Sequence, residues 1–198
     1  MNKKTIRDVD VKGKRVFGRV DFNVPLDENQ VVTDDTRIRG ALPTIQYLLD
    51  HGAALILASH LGRPKSGPEA KFSLAPTVVR LQELMPNTAI LVATDCIGPA
   101  VDAQKQALKP GEVLVLENVR FYKGEQKGDM EFAKALASYV DVYETSQGLG
   151  ELHVALLLAL VEAHVFQHQH FAGLQRLLLR IHCGADAVGG QGDGVVGQ

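Results

Sequence analysis

Cysteine and tryptophan are scarce in this chain of 198 residues, which has two cysteines and no tryptophan. Cys96 and Cys183 lie far apart, and two thiols support neither a disulfide framework nor a zinc site. Such a pair is typical of free thiols in a reducing cytoplasm. We therefore expect no structural disulfide and no bound metal.

The chain also lacks a strong charge of either sign, since its formal net charge is -2. This balance gives no electrostatic reason to expect a nucleic-acid or membrane partner. The longest apolar run, Val154 to Val161, is far shorter than the roughly 20 residues that span a bilayer. Residues 1–16 are basic but have no apolar core or cleavage site, so they do not form a secretory signal. These absences predict a cytoplasmic protein.

Short apolar runs alternate with longer amphipathic segments through the first part of the chain. Gly52 is expected to end the first helix, and Ser73 is expected to cap the second. The alternation predicts a three-layer α/β/α domain with a mainly parallel, Rossmann-like sheet over residues 1–143. The predicted strands are 15–24, 54–59, 89–93 and 113–116, and the predicted helices are 37–51, 74–85, 99–108 and 129–140.

Three polar segments follow predicted strands, namely residues 21–23, 59–63 and 117–120. Ligands of open parallel sheets bind outside the carboxyl ends of the strands. We therefore expect the three segments to meet at one edge of the sheet, together with the start of the first helix.

The charged residues of these segments favour an anionic ligand. Arg37, Arg63 and Arg120 carry permanently charged guanidinium groups that suit phosphate or carboxylate oxygens. His60 adds a donor that can be charged near neutral pH. Each residue also has an ordinary structural explanation, because arginines are often solvated surface charges and a histidine after a strand can cap the next segment.

Asp21 and Asn23 cannot neutralise an anion, but they can hydrogen-bond a hydroxyl group. Asp21 can also orient an arginine, or it can simply be a turn residue. Taken together, the residues predict a small, multiply anionic molecule that carries a hydroxyl group, such as a phosphorylated sugar acid.

Six segments resemble phosphoglycerate kinases in sequence, order and spacing. SHLGRP and RVDFNVP are highly specific motifs when they occur together. The resemblance covers residues 1 to about 143. The segments are RVDFNVPL (19–26), DDTRIRGALPTI (34–45), LASHLGRPKSG (57–67), FSLAPTV (72–78), DCIGP (95–99) and LENVRFYKGEQKGD (116–129).

The resemblance implies a binding site for 3-phosphoglycerate. It places Asp21 and Asn23 at the glycerate hydroxyl and carboxylate region, and it gives Arg37 a catalytic role at the carboxylate that accepts the phosphoryl group. The substrate's own phosphate would be held by His60, Arg63 and Arg120. The remaining residues that the resemblance places in the site are Phe22, Leu61 and Gly62.

The resemblance also implies a reaction, which is reversible phosphoryl transfer between Mg-ATP and 3-phosphoglycerate to give 1,3-bisphosphoglycerate in glycolysis. Such transfer depends mostly on positioning and charge neutralisation. It further implies a monomer that acts on a small molecule. The alternative interpretation is a truncated, inactive 3-phosphoglycerate-binding module or a non-functional product.

The sequence departs from the family at two places. Gly18 occupies a strand position that is usually apolar in the family. After Tyr143 the chain reads ETSQGLGELHVALLL (144–158), where the family has an Asn-Asp-Ala-Phe segment and then a His-Arg-Ala-His segment. We therefore expect residues 144–198 to be a divergent tail. We expect one phosphate-binding arginine and the nucleotide domain to be missing. A frame change, a mispredicted coding region and a truncated gene copy remain open explanations.

The tail contains two patterns that superficially suggest function. His164 and His168 have the spacing of two zinc ligands on a helix, but no third ligand follows at a recognisable distance. The glycine-rich C-terminus lacks the Gly-Lys-Ser/Thr of a phosphate loop. Neither pattern predicts a metal or nucleotide site.

Overall fold

The computed structural model describes residues 6–65, 67–138 and 140–145. Short 3₁₀ turns occur at Ile6–Asp8, Ala70–Phe72 and Val119–Phe121. The helices and strands, in chain order, are β1 (Arg15–Arg19), α1 (Thr36–Asp50), β2 (Ala54–Ala58), α2 (Ala75–Leu84), β3 (Ile90–Val92), α3 (Pro99–Ala107), β4 (Val113–Val115), α4 (Lys123–Lys127), α5 (Met130–Ala137) and β5 (Val142–Thr145).

The five strands form one sheet in the order β3-β4-β2-β1-β5, and every neighbouring pair is parallel. In this register Val16 of β1 lies opposite Leu55 of β2 on one side and Val142 of β5 on the other. Strand β2 is the central strand, and all five of its residues are buried. This agrees with its uninterrupted apolar sequence, because a strand covered on both faces needs no polar alternation.

Alternate side chains of the strands point to opposite faces of the sheet and build two separate cores. Val16, Leu55 and Val113 belong to the core that also contains buried residues of α1 and α2. Phe17 and Ile56 belong to the core that contains buried residues of α3 and α5. The sheet is therefore covered by helices on both faces, and the predicted three-layer α/β/α architecture is confirmed.

Helix α1 ends where the sequence predicts. Gly52 has a φ of 77°, in the left-handed region that glycine adopts most easily. Its N–H donates to the carbonyl of Leu49, and the next N–H, of Ala53, donates to Leu48. These bonds satisfy carbonyls that the helix end would otherwise leave open.

The first strand is shorter than predicted, because it ends at Arg19 rather than at Val24. The side chain of Asp21 accepts a hydrogen bond from the N–H of Asn23. Such a local bond competes with strand pairing, so the chain leaves the sheet and forms a loop.

Ser73 was expected to be the N-cap of the second helix, and this prediction is wrong by one residue. Leu74 holds the N-cap position of α2. The Ser73 hydroxyl donates to one oxygen of Glu117, whose other oxygen accepts from the N–H of Leu74. A carboxylate from the loop after β4 therefore does part of the capping.

The domain boundary expected after residue 143 falls inside β5, which pairs with β1 through Thr145. The rest of the predicted tail, residues 146–198, lies outside the described residues. This range includes His164 and His168. Among the described helices none is both long and apolar enough to cross a membrane.

Candidate functional site

The predicted site segments meet at the carboxyl edge of the sheet because β4, β2 and β1 are consecutive strands. Two hydrogen bonds join the loop after β1 to the loop after β2. The N–H of Phe22 donates to the Ser59 hydroxyl at 2.8 Å, and the N–H of Gly62 donates to the Asn23 side-chain oxygen at 2.9 Å. The clustering that the sequence predicts is therefore present in the structure.

Gly62 is the centre of this arrangement. Its φ is 61°, and a Cβ at this position would lie 2.5 Å from ring carbons of Phe72. Its carbonyl accepts a 2.8 Å hydrogen bond from Nη1 of Arg120, in the loop after β4. Glycine is needed here for its backbone conformation and for the close approach of the phenyl ring.

Arg37 lies in the first turn of α1 and forms an ion pair with Asp21. Its Nη1 donates to Oδ2 of Asp21 at 2.5 Å, and both side chains are open to solvent. An exposed pair of this kind contributes little to stability. The guanidinium group is therefore available to exchange the aspartate for the carboxylate of a ligand.

His60 is 8% exposed, and its Nδ1 has no hydrogen-bond partner among the described residues. Burial lowers the pKa of His60 to about 4, with further lowering by the positive charges of Arg120 and Arg19, an opposing effect from Asp21 and a smaller lowering by Arg37. The imidazole is therefore neutral at neutral pH. The sequence suggested a donor that is charged near neutral pH, and burial beside three arginines is the reason that it is not.

Arg63 is exposed and makes no hydrogen bond or ion pair within the described part of the chain. It directly follows Gly62 in the loop after β2. Phe22 and Leu61 have a different environment, because both side chains are buried in the core between the sheet and helices α1 and α2. Their contribution to the site is therefore to fix the loop backbone.

Sequence reasoning missed a buried charge pair beneath the site. Nη2 of Arg19, the last residue of β1, lies 2.8 Å from Oε1 of Glu125, and the two side chains are 5% and 9% exposed. Oε2 of Glu125 lies 3.9 Å from Nε of Arg120. The available signal was Arg19 itself, within the predicted strand and next to the apolar Val20, because a buried charge requires a partner.

The cluster as a whole carries positive charge. Four arginines face three carboxylates, since Arg19, Arg37, Arg63 and Arg120 are charged at any physiological pH while Asp21, Glu117 and Glu125 supply the opposing charges. With His60 neutral, the excess is positive. Such an edge attracts a small anion and offers it several donors at once.

An open groove with a volume of about 630 Å³ lies elsewhere, between residues 30–35 and α2. None of the predicted site residues lines it. Its arginine, Arg80, is bound by Asp35 and Glu83. Because its cation is already paired, we assign no anionic ligand to this groove. Within the described residues no group of three or more His, Cys, Asp or Glu side chains could hold a metal ion.

A family model described as phosphoglycerate kinase matches residues 6–153. The match continues past residue 143, where the resemblance was expected to end. It includes every residue of the predicted site.

Curated relatives agree with the family match. A phosphoglycerate kinase of Chloroflexus aggregans is 57% identical over 156 residues, which are 78% of this chain and 39% of that protein. The chloroplastic phosphoglycerate kinase 1 of Arabidopsis thaliana is 56% identical over 158 residues, 78% of this chain and 32% of that protein. A cytosolic form from Triticum aestivum is 56% identical over 151 residues, 76% and 37% of the two chains. The chain thus spans about a third of the length of these relatives.

Solved structures show the same fold. The phosphoglycerate kinase of Coxiella burnetii has a TM-score of 0.62 at 34% identity, over 73% of this chain and 35% of that one. The enzyme of Pyrococcus horikoshii has a TM-score of 0.65 at 24% identity, over 85% and 46% of the two chains. At that identity the second match supports the fold alone.

Proposed function

Because this chain belongs to the phosphoglycerate kinase family, we propose that the carboxyl edge of its sheet binds 3-phosphoglycerate as a phosphoryl acceptor. The proposed site consists of residues 21–23, 59–63 and 117–120 and Arg37. The observation that carries the proposal is the meeting of these segments at one positively charged edge, joined through Gly62. Since the chain covers about a third of its curated relatives, the full kinase reaction is part of the proposal.

The acceptor carboxylate is assigned to Arg37. Its exposed ion pair with Asp21 provides a charged fork that a ligand carboxylate can engage, while Asp21 remains nearby to accept a hydrogen bond from the glycerate hydroxyl. Asn23 has its side-chain oxygen occupied by Gly62, so its amide NH₂ is the part that faces a ligand. This division of roles satisfies both the charge and the hydroxyl group of the substrate.

The phosphate end of the substrate is assigned to His60, Arg63 and Arg120. Arg120 uses Nη1 for the Gly62 carbonyl, which leaves Nη2 to donate to a phosphate oxygen. Arg63 supplies a fully charged, exposed fork from the loop after β2, next to Gly62. We assign His60 as a neutral donor, because burial lowers its pKa to about 4 in the chain without a ligand.

In the proposed reaction the acceptor carboxylate receives a phosphoryl group whose donor is Mg-ATP. Transfer of this kind requires alignment of the reacting oxygens and neutralisation of charge, with little proton chemistry. Arg37 neutralises charge at the acceptor carboxylate, because a fixed positive charge stabilises the negative charge that develops during transfer. We assign no described residue to Mg-ATP.

The proposal includes a small-molecule partner and a monomeric, cytoplasmic protein. One relative is named as cytosolic and another as chloroplastic, so the relatives do not decide the compartment. Compartment and oligomeric state therefore stay predictions of the sequence.

Binding is tested by isothermal titration of the full chain with 3-phosphoglycerate, using Arg37→Ala and the matched control Arg39→Ala. Arg39 lies on the same helix but pairs with Asp35. Loss of the Arg37 contact should remove about 1.5–3 kcal/mol of binding free energy, or roughly ten- to a hundredfold in Kd. Arg39→Ala should bind like the wild type. Absence of saturable binding by the wild type, or equal losses in both variants, would contradict the proposal.

Phosphoryl transfer is tested separately, by formation of 1,3-bisphosphoglycerate from Mg-ATP and 3-phosphoglycerate in a coupled assay of the same polypeptide. Turnover that disappears in Arg37→Ala supports the kinase assignment. Binding without turnover supports the alternative, a 3-phosphoglycerate-binding module.

A further inference from the structure

Asn118 belongs to a polar segment that the sequence singles out, yet the proposed binding roles leave it unused. It is completely buried in the loop after β4. A buried side-chain amide is retained only where its donors and acceptor are satisfied. Its hydrogen bonds therefore show which parts of the molecule it connects.

The Asn118 side chain joins three separate segments. Its NH₂ group donates to the carbonyl of Leu61 at 2.7 Å and to the carbonyl of Phe72 at 2.8 Å. Its side-chain oxygen accepts from the N–H of Arg120 at 3.1 Å. One amide thus holds the loop after β2, the 3₁₀ turn that carries Phe72, and the backbone of a site arginine.

From these contacts we infer that Asn118 is a positioning residue for the acceptor site, which fixes the Gly62 loop against Arg120 without touching the substrate. The Leu61 carbonyl belongs to the peptide bond that joins Leu61 to Gly62. The next carbonyl, of Gly62 itself, accepts from the Arg120 side chain. Phe72, held by the same amide, covers Gly62. Asn118 therefore fixes the position of Phe72, which packs against Gly62, and the backbone of Arg120.

An amide is the side chain that this position requires. Two backbone carbonyls need donors and one backbone N–H needs an acceptor, and the asparagine amide supplies both. A carboxylate of the same size would accept but not donate, and an apolar side chain would leave all three backbone groups without this partner. The inference rests on the proposed function only in naming the ligand of the positioned loop.

The first test does not depend on any ligand. The imidazole of His60, two residues from Gly62, is followed by NMR during a pH titration and assigned by its disappearance in His60→Gln. In Asn118→Leu the loop should open and expose His60, so that its midpoint rises from about 4 toward 6.5. Leu48→Ala is the matched control, since Leu48 is a buried core residue near the far end of α1 from Arg37. It should destabilise the fold without moving the midpoint.

Asn118→Ser provides a second variant in case the leucine variant does not fold. Serine is also a good N-cap, so it can keep the bond to the Arg120 N–H, but it cannot reach both carbonyls. Its His60 midpoint should also rise. An unchanged midpoint in Asn118→Ser, or an equal shift in Leu48→Ala, would overturn the positioning role.

The second test is titration with 3-phosphoglycerate, which Asn118→Ser should bind roughly tenfold more weakly than the wild type. Leu48→Ala should bind normally at a temperature where it is folded. If the wild type itself does not bind, the proposed function fails, while the His60 midpoint still decides the positioning role. If the wild type binds and Asn118→Ser binds equally well, the positioning role fails alone.

Discussion

Arg19 and Glu125, which are 106 residues apart in sequence, form an ion pair of 2.8 Å whose atoms are almost entirely shielded from water. The pair joins the end of β1 to helix α4. It also lies under the predicted site, because the second oxygen of Glu125 faces Arg120. The buried carboxylate of Glu125 thus partly neutralises the positive charge of Arg19 and Arg120 without contacting a ligand.

Replacing Glu125 with alanine should destabilise the fold strongly. The variant retains two arginine charges but loses the buried carboxylate that faces them, a change that costs about 3–5 kcal/mol in comparable cases. Urea unfolding measures the loss. Arg37→Ala is the control, because it breaks an ion pair with Asp21 that is open to solvent and should cost about 1 kcal/mol or less. Similar losses in the two variants would show that burial of the Arg19 pair has little energetic importance.

Gly62→Ala should be more harmful than an alanine at another glycine of the same backbone conformation. Gly13 has a φ of 69° and open space where a Cβ would lie, whereas Gly62 has a φ of 61° and the Phe72 ring at 2.5 Å. Both variants carry backbone strain of about 1–2 kcal/mol, and Gly62→Ala adds an overpacking cost of about 1–3 kcal/mol. Thermal unfolding of the two variants measures the difference.

A double variant checks the cause of that difference. Phe72→Ala removes the ring that the new methyl group would meet, so it should reduce the penalty of Gly62→Ala to that of Gly13→Ala. If Gly62→Ala and Gly13→Ala are equally stable, the close approach of the ring does not determine the choice of glycine.

Much of the fold could be predicted from the sequence because periodicity directly reports burial. The uninterrupted apolar run of β2 predicted a strand covered on both faces, and it is the central strand. The strand end at Arg19 could not be predicted in this way. It depends on the Asp21 side chain bonding to the Asn23 backbone, a choice between two hydrogen-bond partners that hydrophobic patterning does not record.

The candidate site, like the fold, could be predicted only in part from the sequence. Its location followed from the rule that polar residues after parallel strands share one edge, and the structure joins those segments. The protonation state of His60 and the part played by Glu125 depend on which distant groups are packed nearby. Those distances are set by tertiary structure, so residue type alone did not reveal them.

Replacing Lys105 should not destabilise the fold, in contrast to the Glu125 and Gly62 variants. The side chain is buried between α3 and α5. Among the described residues its ammonium group has two contacts, both long, at 3.5 Å to Asp102 and 3.3 Å to the carbonyl of Ala135. Burial lowers its pKa, so the charged form is disfavoured in the folded state. Lys105→Met keeps the aliphatic volume and should be neutral or raise stability by about 1–2 kcal/mol.

The measurement for Lys105→Met is urea unfolding at neutral pH. Lys109→Met is the control, because Lys109 is exposed and its replacement should change stability by about 0.5 kcal/mol or less. A loss of stability in Lys105→Met that exceeds the control would mean that the two long contacts outweigh the cost of burying the charge.

Stability should fall on acidification because of His60. Its pKa is about 4 in the folded chain and 6.5 for an ordinary histidine. Above 6.5 both states are neutral and the full stability is present. Between 6.5 and 4 the unfolded chain takes up a proton that the folded chain does not, so the free energy of unfolding decreases by up to about 3 kcal/mol. Below 4 both states are protonated, and this contribution to the loss stops.

Other groups also titrate in this range. The measurement therefore compares how steeply the free energy of unfolding changes with pH in each protein, and not its value at one pH. Urea unfolding of wild type and His60→Gln at pH 7, 6, 5 and 4.5 should show the wild type losing stability more steeply as pH falls, because only the wild type loses the His60 contribution. Parallel curves for His60→Gln and wild type would mean that His60 takes up its proton equally well in the folded chain. The imidazole would then not be held neutral by burial beside Arg120, and its proposed role as an uncharged donor to the phosphate would be wrong.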